Sequence, residues 1–113
     1  MRRLTTPTHQ FKINGINPAE WDEFRITYSQ NGKIVLEKTE NDDVVITPSD
    51  VTPNGYIIKY RLSQSDTEAF KPNIRTEMQI RAHYPDGTVI ASKIMALAVE
   101  DVLNQEFLGD EDE

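Results

Sequence analysis

The sequence predicts an all-β fold: an immunoglobulin-like antiparallel β-sandwich of six to seven strands with one short helical turn. Three observations predict it. Apolar residues recur with period two along most of the chain. Turn dipeptides interrupt that pattern at fairly regular intervals. Only one segment carries the chemistry that starts a helix, and no alternation of strand and helix suggests a parallel sheet. The 113 residues fit one domain. We divide them into an extended N-terminal arm (1–9), a sandwich domain (10–108) and an acidic tail (109–113).

The elements follow in order. Phe11 and Ile13 alternate with polar neighbours and run into Asn14-Gly15, a strand ending in a turn. Asn17-Pro18-Ala19-Glu20-Trp21 reads as a loop or single helical turn, with Asn17 as cap and Pro18 first inside it. Trp21 then plugs one end of the core. Phe24, Ile26 and Tyr28 share one face of the next strand. Asn31-Gly32 joins that strand to Lys33–Lys38, because both central residues of a type I′ turn need positive φ. The two-residue loop fixes the register of the pair. Glu40–Asp43 is a polar turn, Val44–Thr47 a short strand and Pro48–Gly55 a loop. In the following strand Tyr56, Ile58, Tyr60 and Leu62 face the core.

Ser63–Phe70 breaks the β rhythm with two overlapping capping boxes, Ser63…Asp66 and Ser65…Glu68. Pro72 keeps that helix short, and Phe70 tucks under the sheet as the chain crosses between sheets. Ile74–Tyr84 then alternates, with Ile74, Met78, Ile80, Ala82 and Tyr84 inward. Pro85–Thr88 is a hairpin turn. Val89–Val99 returns with apolar residues on both faces, which predicts a strand covered on both sides. Val102, Leu103 and Phe107 form a short amphipathic turn or a final strand segment.

The chain has no Cys, so packing alone must hold it together, as suits a reducing cytoplasm. There is no apolar run long enough for a membrane span, and the Arg2-Arg3 pair has no apolar stretch behind it to make a secretory signal. The net charge is −7, and from Glu100 to Glu113 there are seven acids and no Lys or Arg. The body before Glu100 is therefore neutral. That distribution argues against nucleic-acid binding, which needs clustered bases. We expect no membrane partner and no nucleic-acid partner.

No nucleophile elbow, phosphate-cradling loop or metal-ligand spacing occurs, so we read no catalytic residue, no metal site and no cofactor, and a chain that is not an enzyme. His9 and His83 lack a ligand-spaced companion and read as ordinary surface residues. The acids Asp42, Asp43 and Asp86 sit where turns favour Asp for backbone reasons. The candidate partner-binding residues are Arg2, Arg3, Thr5 and Thr6 of the arm, Trp21, and Asp110, Glu111, Asp112 and Glu113 of the tail. The arm, rich in Thr with a Pro, favours extended backbone. It is either frayed or a strand that adds to another subunit's sheet edge. The tail is a solvated terminus or a dock for a basic partner. Trp21 with a neighbouring Tyr is the one set that could form a carbohydrate-binding platform.

The opening Met1-Arg2-Arg3-Leu4-Thr5-Thr6-Pro7-Thr8-His9 resembles the start of a group of small proteins encoded by phages and prophages of Gram-positive gut bacteria. The likeness extends to the hairpin Thr27–Lys33, to Leu62…Gln64…Thr67…Phe70 and to Asp86-Gly87…Ala91-Ser92. The layout is also similar to the immunoglobulin-like N-terminal domain of siphophage upper-baseplate proteins. No receptor-binding or coiled-coil segment follows it in this sequence. The resemblance implies a non-enzymatic structural or assembly module, a tail or baseplate accessory. Its partners would be other phage structural proteins or copies of itself, with a homo-oligomer and incorporation into a virion as consequences. The alternative function is a carbohydrate- or surface-binding module.

Overall fold

Two antiparallel sheets face each other across one core. The computed structural model describes residues 1–103 and 105–109. The strands are β1 (Thr8–Asn14), β2 (Glu23–Gln30), β3 (Lys33–Thr39), β4 (Val45–Pro48), β5 (Gly55–Arg61), β6 (Thr76–His83), β7 (Val89–Ala91) and β8 (Met95–Leu97); the one α-helix, α1, is Gln64–Glu68. One sheet has the order β1-β5-β4. The other has β3-β2-β6-β7, with β8 also on β6. Consecutive hairpins stay within a sheet, while the chain changes sheet after β1, β3 and β5, as in an immunoglobulin-like sandwich.

Local chemistry sets most of these elements. Asn31 and Gly32 both take positive φ, 52° and 77°, and close the β2–β3 hairpin. Asn17 accepts the Ala19 N–H and starts a single 3-10 turn at Pro18. Ser63 caps α1 by accepting the Asp66 N–H, and Asp66 returns the bond to Ser63 N–H. The second box, at Ser65, is not the one used. α1 carries the chain from β5 to β6 and delivers Phe70 into the core, where its ring stands edge-on to Tyr28 at 5.5 Å. Around that pair pack Phe24, Ile26, Ile58, Tyr60, Leu62, Met78, Ile80, Ala82 and Val99, from both sheets. Each of the large aliphatic and Phe side chains among them contributes about 1.5–3 kcal/mol by leaving water.

The structure corrects three expectations. First, the β2–β3 register is not constant. Tyr28 faces Leu36 but Ser29 faces Ile34, so Val35 is an extra residue in β3. Second, the run Val89–Val99 is not a strand covered on both faces. Arg81 pairs with Ala91 but Thr76 pairs with Leu97, so the register shifts by one residue between β7 and β8. Ile90 turns inward before the shift, and Met95, Leu97 and Val99 turn inward after it. The shift, not double coverage, is why apolar residues fall on both phases. The outward phase stays open: Val89 is 54% and Ile94 58% exposed. It also splits one strand into two and gives eight strands among the described residues instead of six to seven. Third, Val102–Phe107 forms neither a helix nor a strand among its described residues, and Leu103 is fully exposed.

Candidate partner-binding site

The arm is the first part of the site, and it lies on its own body. Met1 N–H donates to Ala98 O at 2.7 Å, Glu100 N–H to Met1 O at 2.7 Å and Arg3 N–H to Glu100 O at 2.9 Å. Arg2 thereby sits in a parallel bridge with Glu100. The arm is thus docked and not frayed, and the edge it meets belongs to the same chain. Arg2 also forms a 3.5 Å ion pair with Glu100, both ends well exposed and worth little in water.

Arg3 does more. Its guanidinium is largely covered and donates to four acceptors: Phe70 O at 2.7 Å, Glu68 O at 3.1 Å, Asp101 Oδ1 at 2.9 Å and Gln105 Oε1 at 2.6 Å. Two of these are carbonyls at the end of α1, where a cation complements the exposed acceptors. The carboxyl of Asp101 is held below its usual range by hydrogen bonds from Gln105, from Val102 N–H and from Arg3. Thr5 N–H donates to Thr67 Oγ1, whose hydroxyl donates back to Thr5 O. Thr6 Oγ1 accepts from Arg61 at 3.0 Å. Leu4 is buried between these contacts with φ 58°, a left-handed conformation uncommon for a bulky side chain. From Pro7, whose carbonyl accepts Leu62 N–H, the chain enters β1. Arg2, Arg3 and Thr5 therefore converge on one place, α1 and the segment after β8, while Thr6 is held by Arg61 at the end of β5. Sequence reasoning missed Thr67 and Asp101. The signal available was the basic pair at one end of the chain and the acidic pair Glu100-Asp101 near the other.

The second part is the rest of that strand edge. Ala98 O and both backbone groups of Glu100 point away from β6 and meet the arm. By the two-residue repeat of a strand, Ala96 turns its N–H and C=O the same way, and no strand among the described residues covers them. The neighbouring side chains are the exposed Val89, Ala91, Ile94 and Ala96. A shallow groove between Asn73–Arg75 and Ala96–Glu100 adjoins them.

The other predicted residues lie elsewhere. Trp21 is a half-buried plug: its indole N–H donates to Tyr84 OH at 3.2 Å and its ring packs against Phe24 at 5.9 Å. The structure thus sets Trp21 beside Tyr84, both half-buried. Asp110, Glu111, Asp112 and Glu113 fall outside the described residues.

His9 is not an ordinary surface residue. It opens a buried chain: His9 Nδ1 to Tyr28 OH at 2.6 Å, Tyr28 OH to Tyr60 OH at 2.5 Å, and Tyr60 OH to Met78 Sδ at 3.3 Å. Sulfur only accepts, so the hydroxyls run toward Met78 and His9 Nδ1 serves as the donor at the head. Burial pushes the Tyr60 phenol up to about 12 and Tyr28 higher still. Burial, aided by the Met1 amino charge, lowers the His9 pKa. His83, on the outer face, is instead raised, chiefly by its 2.7 Å hydrogen bond to Asp22. The two act in opposite directions on stability. The His9 contribution is present above its ordinary 6.5 and is lost as pH falls from there through its lowered value. The His83 contribution is present below 6.5 and is lost as pH rises through its raised value. In thermal melts at about pH 7.5 and pH 5.5, the acid-induced drop should shrink in His9→Gln and grow in His83→Gln. Equal drops in both variants would contradict these assignments.

No protein-family model, curated protein sequence or solved structure matches this chain. Fold and geometry together place it in a structural class, an immunoglobulin-like antiparallel sandwich in which the segment after the last strand is paired with the chain's own N-terminus.

Proposed function

We propose that this chain is a non-enzymatic structural or assembly module, of the phage or prophage lineage its sequence resembles, and that it joins copies of itself through its last strand. The observation that carries the reading is the edge of β8. The segment that continues it, Ala98–Glu100, is occupied by the arm, while Ala96 and the exposed Ile94 beside it stay open. Sandwich proteins normally blunt such edges, and an open apolar one is a template for another chain. The acidic tail would limit uncontrolled growth by repulsion between copies. A tail or baseplate accessory built from repeated copies fits this design, as does incorporation into a virion after synthesis in the bacterial cytoplasm.

Two lysine substitutions test it. Ile94→Lys places a charge on the proposed edge. Ile34→Lys places one on β3, at the opposite edge, where Ile34 is 65% exposed. In sedimentation equilibrium, Ile94→Lys should weaken self-association by about tenfold or more, and Ile34→Lys should leave it unchanged. Equal effects of the two would mean non-specific apolar contact and would remove the basis of the reading.

A further inference from the structure

We infer that the N-terminal arm is an exchangeable strap: residues Met1–Arg3 of one copy can leave their own edge at Ala98–Glu100 and take the same place on a second copy, with Leu4 as the hinge. This rests on the self-association proposed above and specifies how it is made. The occupant is argued from the site itself. The edge at Ala98–Glu100 already matches the arm's backbone, and the end of α1 with Asp101 and Gln105 already forms a four-acceptor seat for Arg3. A second copy's arm offers the identical groups, so exchange requires no new complementarity.

The hinge supplies a reason for it. Between Arg3 and Pro7 the chain turns back through Leu4 at φ 58°. Short strained hinges invite exchange, because the strain is relieved when the arm extends to a neighbour. A left-handed bulky residue disfavours the closed form by about tenfold, so reciprocal exchange between two copies gains about a hundredfold. Against this stands the tether, which holds the arm at its own edge with an effective concentration of about a millimolar. The balance places exchange near roughly 10 µM protein: closed copies in dilute solution, exchanged pairs at high local concentration. The open Ala96 backbone and exposed Ile94 lie just beyond the docked arm on the same edge, where the body of the donor copy would follow its arm.

The absence of Cys makes the test clean. Arg2 and Glu100 are laterally paired and both exposed, so a disulfide between those positions fits without disturbing the core. A tagged Arg2→Cys chain and an untagged Glu100→Cys chain are mixed under mild oxidation. A covalent 1:1 product linked from position 2 to position 100 is expected at about 100 µM and should be absent at about 1 µM. The double variant Arg2→Cys/Glu100→Cys should close within one chain at the dilute concentration. If the double variant closes but the mixture yields no such link at high concentration, exchange is overturned. A double variant that fails to close overturns the docking, and exchange with it. If the unmodified chain associates while no link forms, only exchange is wrong; if the unmodified chain does not associate either, the assembly reading falls too.

Discussion

Phe70→Ala should cost about 3–5 kcal/mol and lower the melting temperature by about 12 °C or more. Phe70 is 1% exposed and stands where three elements meet. Its ring lies edge-on to Tyr28 of β2, its N–H donates to Thr67 O at the end of α1, and its carbonyl receives Arg3 of the arm. Truncation leaves a cavity between the sheets that the short crossover cannot collapse to fill, since the capping box and Pro72 fix both of its ends. Total stability for a domain of this size is about 5–15 kcal/mol, so the loss is a large fraction of it. Phe70→Leu, which retains most of the volume, should cost less than half as much. A calorimetric melt in which Phe70→Ala shifts by only a few degrees would show that the core does not depend on the crossover.

Gln30→Ala should cost about 2–4 kcal/mol, a large effect for a polar side chain. Gln30 ends β2 and is 6% exposed. Its amide N–H groups donate to Lys71 O at 2.8 Å and Thr76 Oγ1 at 2.9 Å, and its Oε1 accepts Lys71 N–H at 2.9 Å. One amide thus satisfies both backbone groups of Lys71 and anchors the turn between α1 and β6. Removing it strands those groups and opens a hole beside Thr76, which is fully buried. Gln30→Glu keeps the shape but replaces two donors with an acceptor, so it should be no better than Ala at pH 7. Chemical denaturation that places Gln30→Ala within about 0.5 kcal/mol of the unmodified chain would contradict this role.

The fold was legible in the sequence where local chemistry and burial agree. Asn31-Gly32 needs positive φ, Ser63 and Asp66 satisfy each other's backbone, and Phe24, Ile26 and Tyr28 alternate with exposed neighbours. These signals are short-range, and each is fixed by a few adjacent residues. What escaped depends on residues far apart in the chain. The one-residue shift between β7 and β8 is set by Ser92. Its N–H donates to Ile80 O, its Oγ accepts Ile80 N–H and its carbonyl accepts from Gln79. Nothing beside Ser92 in the sequence announces that. His9 reads as an arm residue until β1 is placed against β5 and its ring turns toward Tyr28 and Tyr60. The candidate site divides in the same way. The arm residues were identified by composition, but their seat, built from Glu68, Phe70, Asp101 and Gln105, assembles only when the two ends of the chain meet.

The central claim is that copies of this chain associate through the arm and the last strand. Absolute molar mass by light scattering tests it most directly, on the unmodified chain between about 1 and 100 µM at moderate salt. The account predicts a weight-average mass that starts at 12.9 kDa and climbs toward twice that value. A mass that stays at 12.9 kDa across the whole range would contradict it.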